Sequence, residues 1–156
     1  MNLPHDIEFH EDIRLLVYRP LGSLNEASVN KIVNVIGDLE ARLNEPFNRF
    51  FDTSGHDEVE LNFRYVIQIS IHRVLSYSDR PPVKSAILAT DSTIIHYCQL
   101  HAIITQDSPI QVRIFQERKN AAKWLGVPLE RLGESPREPS HQTARDFPLT
   151  NHEAST

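Results

Sequence analysis

The sequence predicts an α/β protein with a largely parallel sheet, and three observations predict it. Short apolar stretches alternate along the chain with longer stretches that have helical spacing. The chain opens with two apolar stretches around a polar turn, which is typical of an antiparallel hairpin. Pro and Gly residues separate several of these stretches. Because alternating strands and helices form right-handed crossovers, we expect about five strands and four helices in the order ββαβαβαβα.

The first two strands and the first helix follow from local signals. Residues 7–9 and 13–18 are apolar and β-branched, and His10, Glu11 and Asp12 between them predict a tight turn. Ser23 and Glu26 have the spacing of a capping box, in which each side chain bonds to a backbone amide of the first turn. We expect a helix from there to about residue 44, because Pro46 disfavours helical geometry before it. Its polar face would include Glu40.

The middle of the chain contains one ambiguous segment. Residues 47–51 predict a buried strand, followed by a loop at residues 52–55. Residues 59–77 alternate like a strand but exceed the usual strand length of about five or six residues, so we interpret them as a helix. That helix would bury Phe63, Val66, Ile67, Ile71, Val74 and Leu75, and would leave Tyr65 and Ile69 off the core face.

The remaining elements have clear boundaries. Residues 83–89 predict a strand buried on both faces, and residues 110–115 predict a strand near a sheet edge. Between them, Asp91 or Ser92 can cap a helix over residues 93–104. A last helix covers residues 117–125, and Gly126 ends it. We expect one domain over residues 1–132 and a disordered tail over residues 133–156, where Ser, Pro, Thr, His and Glu dominate.

Composition limits the classes of function. A net charge of −5 argues against a general nucleic-acid binder, which needs a basic surface. The single cysteine, Cys98, excludes an internal disulfide and a zinc site built on cysteines. No apolar run approaches the roughly 18–20 residues that span a bilayer, and the amino terminus lacks the features of a signal peptide. We therefore expect a cytoplasmic protein without a transmembrane segment.

Three stretches resemble a known family. They are RFFDTSG at residues 49–55, PVKSAIL at residues 82–88 and IFQERKNAAKWL at residues 114–125. Together with the element order, they resemble the STAS domain, and in particular its SpoIIAA-like branch, over about residues 6–132. The resemblance implies a domain that binds a small ligand or a protein partner without catalysis. Members of this branch, whose fold is also compared with lipid-carrying Sec14-type domains, are proposed to bind ligands or membrane surfaces.

The resemblance also suggests a phosphorylation switch. In anti-sigma factor antagonists, a serine in such a turn at a helix start is phosphorylated, which makes Ser54 the candidate here and Thr53 the second. Added negative charge in a contact surface can abolish docking. The sequence departs from the family pattern, however, because His56, Asp57 and Glu58 follow the turn where antagonists have small apolar residues. The alternative is a turn in which short polar side chains bond to the backbone.

A candidate ligand surface lies on the helix predicted over residues 59–77. Its polar and basic side chains could bind an anionic head group: Arg64, Gln68, His72 and Arg73. An apolar pocket beside them would be formed by Tyr65 and Ile69 of this helix and by Tyr97 of the next helix. The alternatives are an ordinary solvated face and a homodimer contact through Tyr65 and Ile69.

Catalytic and cofactor signatures are absent from the sequence. The histidines are scattered, with no His-Glu-x-x-His motif, and no Gly-rich phosphate loop or nucleophile elbow occurs. We therefore expect no metal and no cofactor, and an enzyme would need an acid–base pair such as Asp52 and His56. The sequence favours a binding module for an apolar or amphipathic small ligand or a protein partner, with contact at a membrane surface left open. The alternative is a regulatory protein switched at Ser54.

Overall fold

The computed structural model describes residues 2–133, and these form a mixed α/β domain with a five-stranded sheet. Helices cover both faces of this sheet, and two further strands pair beside it. In chain order the elements are β1 (Ile7–His10), β2 (Leu15–Tyr18), β3 (Gly22–Asn25), α1 (Glu26–Arg42), β4 (Asn48–Asp52), β5 (His56–Glu60), α2 (Phe63–Ser76), β6 (Val83–Leu88), α3 (Ser92–Thr105), β7 (Ile110–Phe115) and α4 (Arg118–Leu125). Short 3₁₀ turns occupy Glu11–Ile13 and Leu129–Leu132.

The main sheet has the strand order β1-β2-β4-β6-β7. β1 and β2 pair antiparallel, with Ile7 opposite Tyr18, and every later pairing is parallel. The predicted hairpin, the parallel crossovers and the edge position of the last strand are therefore confirmed. The fold class predicted from the sequence is the one observed.

Alternation along the strands divides the core into two layers. Leu15, Val17, Phe50 and Ala86 point to one face, where they pack against α4 and Leu132. Their neighbours in sequence point to the other face, which α1, α2 and α3 cover. α4 ends as predicted, because Gly126 adopts a φ of 73°, a left-handed conformation that favours glycine.

Two short strands were not predicted. β3 and β5 pair in parallel as a separate two-stranded sheet, and the hydroxyl of Ser23 donates to Glu60 Oε1 at 2.7 Å. The capping box predicted at Ser23 is therefore wrong. The helix is capped by Asn25, whose side chain accepts from the Ser28 amide, while the Ser28 hydroxyl accepts from the Asn25 amide.

The predicted orientation of α2 is also wrong. The helix begins at Phe63, so the first residues of the segment predicted as helix belong to β5 and a connector. Its buried positions are Val66, Ser70 and Arg73, of which two are polar. Ser70 and Arg73 can face inwards because each has a polar partner on another helix, His101 and Glu40.

Four large apolar side chains consequently lie on the outside of α2. They are spaced four residues apart, which places them in one stripe that we call the α2 ridge: Phe63, Ile67, Ile71 and Leu75. Phe63 is 57% exposed and Leu75 is 70% exposed. The helical spacing of the sequence predicted both side chains to be buried. The dimer contact predicted at Tyr65 and Ile69 involves two half-buried residues that lie off this ridge.

The end of the described chain is tied to the opening hairpin. Arg131 donates to both carboxylate oxygens of Asp12, at 3.0 and 2.6 Å, and Arg19 donates to the carbonyl of Leu132 at 2.6 Å. These contacts place Leu132 in the core, where it is fully buried. The tail predicted over residues 133–156 lies, from residue 134 onwards, outside the described residues.

The exposure of the α2 ridge can be tested by truncating one residue on each side of the helix. Val66→Ala should lower the free energy of unfolding by about 1–3 kcal/mol, because it removes buried methyl groups. Ile71→Ala is the matched control and should change it by less than about 0.5 kcal/mol, because Ile71 lies on the exposed ridge. Urea unfolding measures both values, and a larger loss for Ile71→Ala would contradict this orientation of α2.

Candidate ligand cavity

A cavity of about 180 Å³ lies between the main sheet and the helices α1, α2 and α3. The sheet forms its floor and the three helices form its walls. Most of its lining is apolar, with a few polar groups: Tyr18, Pro20, Leu24, Val29, Ile32, Val33, Ile36, Arg49, Phe51, Thr53, Leu61, Tyr65, Val66, Ile69, Arg73, Ser85, Ile87, Ile94, Tyr97, Cys98, His101 and Ile110. Ligand sites are typically apolar cavities of this kind with a small number of placed polar groups.

The strand register sets which end of the floor is polar. Arg49 on β4 lies opposite Ser85 on β6, near the amino ends of both strands, and both side chains are buried. Two residues further along, Phe51 lies opposite Ile87 and makes that part of the floor apolar. The cavity therefore has one end with polar groups and an apolar middle.

A buried cluster of charges forms the polar end. Arg49 and Arg73 each donate from Nη2 to the same oxygen, Glu40 Oε2, and both distances are 2.7 Å. The side chains of all three are at most 7% exposed. Arg49 also donates from Nε to the carbonyl of Phe47 and lies over the rings of Phe47 and Tyr77. The cluster joins α1, β4 and α2, and two cations share one anion.

Burial of this cluster has an electrostatic cost. Desolvation lowers the pKa of Arg49, the neighbouring Glu40 carboxylate opposes that shift, and the nearby Arg73 charge adds to it. Guanidinium groups nevertheless remain protonated in proteins. The cluster therefore carries a buried positive charge in excess of its negative charge.

His101 lies next to this cluster in a neutral state. Its Nδ1 is 2.7 Å from the hydroxyl of Ser70, so the two groups satisfy each other across α2 and α3. Burial lowers the pKa of His101 to about 4, and the positive charge of Arg73 contributes in the same direction. At neutral pH the imidazole thus adds no charge to the cavity.

The other titratable groups of the cavity wall are protonated or engaged. Burial raises the pKa of the Cys98 thiol to about 12, which makes it a poor nucleophile at neutral pH. The Tyr65 hydroxyl donates to Asn30 Oδ1 at 2.6 Å, with the carbonyl of Glu26 as a second, longer contact at 3.2 Å, and so joins α2 to α1. Tyr97 donates to the carbonyl of Leu61 at 2.9 Å, and its ring contacts that of Phe63.

The residues predicted as a ligand surface are divided between two places. Tyr65, Ile69, Arg73 and Tyr97 line the cavity together. Arg64, Gln68 and His72 are exposed on the outer side of α2 and do not line it. Only Arg73 of the predicted head-group residues thus reaches the cavity, because helical spacing separates it from the other three.

The turn predicted as a phosphorylation switch does not begin a helix. Ser54 lies between β4 and β5, and both its amide and its hydroxyl bond to Asp52 Oδ1. Asp52 Oδ2 accepts from Arg118 at 2.7 Å, which ties α4 to the end of β4. Thr53 is buried and its hydroxyl donates to the carbonyl of Leu88 at 2.8 Å. Phosphorylation of Ser54 stays a prediction.

The acid–base pair considered for catalysis is engaged in other contacts. Nδ1 of His56 is 2.5 Å from the carbonyl of Thr53, which makes this nitrogen the donor. Asp52 accepts from Ser54 and Arg118, as described above. Among residues 2–133 no group of three or more His, Cys, Asp and Glu side chains could hold a metal ion.

Sequence reasoning missed three of the residues that form the polar end. The sequence pattern places Arg49 in a strand, Glu40 on the polar face of the first helix and Ser85 within a largely apolar strand. An available signal was the alternation in β4, where Arg49 shares the parity of the apolar Phe51 and therefore faces the same layer. A charged residue at such a position needs a buried partner.

Comparison with known proteins yields a similarity of fold. No family model and no curated protein matches the chain. An uncharacterized protein of the DUF3478 family from Shewanella loihica PV-4, described as having a SpoIIAA-like fold, aligns with a TM-score of 0.49 and 15% identity. The alignment covers 76% of this chain and 90% of that one. The fold assignment of this chain rests on its strand order.

No helix in the described part of the chain has the length and apolar character needed to cross a bilayer.

The neutral state of His101 predicts a pH dependence of stability. Between about pH 6.5 and 4, the unfolded chain binds a proton at His101 that the folded protein does not bind, so stability should fall as the pH falls through this window. His101→Gln removes this group and should lose less stability between pH 7 and pH 5 than the wild type. Urea unfolding at both pH values measures the difference. Equal losses, or an imidazole NMR signal of His101 that titrates near pH 6.5, would contradict the assignment.

Proposed function

We propose that the chain is a binding module that holds a small apolar or amphipathic molecule in the cavity between its sheet and α1, α2 and α3. One observation carries the proposal: a largely apolar cavity of about 180 Å³ with Arg49, Arg73 and Ser85 at one end. An apolar cavity of about 150 Å³ is large enough to bind benzene. A molecule of about six to ten heavy atoms therefore suits this cavity without movement of its walls.

The chemistry of the wall supports binding rather than catalysis. The thiol of Cys98 is held protonated by its raised pKa, and the imidazole of His101 is engaged with Ser70. Both arginines are bound to Glu40. Cys98, His101 and the two arginines thus support the walls, and the apolar lining provides the binding energy.

The walls are held in place from both ends of α2. Tyr65 bonds to α1 near the start of the helix, and Arg73 bonds to Glu40 of α1 near its end. Between these ties α2 contributes Val66 and Ile69 to the cavity. A cavity that is formed before the ligand arrives reduces the ordering cost of binding.

The proposal can be tested by filling the cavity. Cys98→Phe places a larger apolar side chain at the wall and should weaken benzene binding at least about tenfold, because the ring occupies the ligand's space. Ile103→Phe is the matched control, since Ile103 lies on the same helix and is 61% exposed. Amide chemical shifts recorded during benzene titration measure both affinities.

Two results would overturn the proposal. One is a wild-type protein whose cavity amides do not respond to benzene. The other is a Cys98→Phe variant that binds benzene as tightly as the Ile103→Phe variant does.

A further inference from the structure

The charges at the polar end of the cavity do not balance. Arg49 and Arg73 contribute two positive charges and Glu40 contributes one negative charge, and all three side chains are nearly inaccessible. His101 is neutral, and the hydroxyls of Tyr18, Tyr65 and Tyr97 all donate hydrogen bonds to protein oxygens. No aspartate or glutamate side chain lines the cavity within the described residues, and Glu40 lies behind the two arginines. The charged groups that line it are therefore cations alone.

Both guanidinium groups retain unused donors. Each uses only one nitrogen for Glu40, so neither pair has the two parallel hydrogen bonds that arginine and carboxylate can form. Within residues 2–133, Arg49 Nη1 and Arg73 Nε and Nη1 donate to no protein atom. These nitrogens keep some accessible surface, although Arg49 is only 2% exposed and Arg73 only 6%. Both residues line the cavity.

We propose that the ligand of this cavity is a monoanionic amphiphile, a small aliphatic or aromatic carboxylate, whose carboxylate is bound by Arg49 and Arg73 while its apolar part lies against Phe51, Ile69 and Ile87. The inference rests on the proposed function and adds the chemical class of the ligand. One negative charge balances the cluster, whereas a dianion such as a phosphate monoester would reverse its sign. A carboxylate also matches the planar, forked arrangement of guanidinium donors.

Size limits the apolar part of the ligand. The cavity takes about six to ten heavy atoms, which corresponds to hexanoate, octanoate or benzoate. Longer chains would need the walls to move. Ser85 lies opposite Arg49 in the floor and places a hydroxyl near the carboxylate end.

The test compares ligands that share a chain but differ in the head group. The full chain is titrated at pH 7.5 with hexanoate, hexan-1-ol and hexylammonium, and the amide and arginine Nε–H signals are followed by NMR. We expect hexanoate to bind about 10- to 100-fold more tightly than hexan-1-ol, because its hydrogen bonds involve charge on both sides. Hexylammonium should not bind, since it would add a like charge. The Nε–H signals of Arg49 and Arg73 should shift with hexanoate.

Two variants on the same helix identify the group that selects the anion. Arg73→Gln removes one cation and leaves Arg49 paired with Glu40, so the preference for hexanoate over hexan-1-ol should disappear while hexan-1-ol still binds. Arg64→Gln is the matched control, because Arg64 is exposed outside the cavity and its loss should leave the preference unchanged. Should Arg73→Gln not fold, the wild-type ligand series alone decides the question.

The outcomes separate this inference from the proposed function. Equal affinity for hexanoate and hexan-1-ol, or tighter binding of hexan-1-ol, overturns the inference and leaves the binding module in place. A preference that is lost in Arg64→Gln but kept in Arg73→Gln overturns it as well. Failure of every probe to bind, benzene included, overturns both.

Discussion

The carboxylate of Glu40 is the point at which three elements of this protein meet. It joins α1 to β4 through Arg49 and to α2 through Arg73, and each bond is 2.7 Å long. Taking such charges out of water costs several kcal/mol for each ion, and only close geometry between the partners offsets the cost. Because both arginines bind the same carboxylate oxygen, none of the three elements α1, β4 and α2 can shift without leaving a buried charge unpaired.

The orientation of α2 follows from this cluster. Arg73 and Ser70 must face inwards to reach Glu40 and His101, and that rotation brings Tyr65, Val66 and Ile69 to the cavity. The same rotation places the α2 ridge outside, against the hydrophobic preference of its side chains. The inward orientation of Arg73 and Ser70 therefore explains two features at once: the exposed α2 ridge and the apolar cavity behind α2.

The sequence predicted most of the main sheet, because its strands are short apolar runs between clear breaks. The hairpin, β4, β6 and β7 were found, as were α3 and α4 with the glycine that ends the last helix. The last two residues of β5, Val59 and Glu60, fall within the segment predicted as a helix, and residues 56–58 have no strand prediction, because HDEVE is mostly charged and pairs only with the four-residue β3. Its strand conformation depends on a partner distant in sequence, and local pattern contains no information about that partner.

Much of the polar end of the cavity could not be predicted for the same reason. Helical spacing assigned Glu40 to a solvated face, and it assigned Arg73 to a cluster with Arg64, Gln68 and His72. The burial of a charged side chain is decided by its partner, here a strand residue and a residue of another helix. Tyr65, Ile69 and Tyr97, which the sequence groups as one apolar pocket, line the cavity together.

Under the proposed function, the cluster would also link stability to binding. A protein that keeps two cations and one anion beside an apolar cavity is less stable than one with a neutral core of the same volume, because part of the desolvation cost is not offset. A bound carboxylate would recover part of that cost and would stabilise the folded state by an amount that grows with the logarithm of its concentration once this exceeds the dissociation constant. Under the proposed function, stability and ligand selectivity would thus depend on the same three side chains.

The most direct measurement of this account is the free energy of unfolding of Glu40→Gln, compared with that of Asp12→Asn. Both variants replace a carboxylate that accepts from arginine by its neutral amide, and only the first leaves two buried guanidinium groups without an anion. We expect Glu40→Gln to lose about 3–5 kcal/mol, and Asp12→Asn to remain close to the wild type because its ion pair with Arg131 is on the surface. Similar values for the two variants would show that the Glu40 cluster does not hold the fold together.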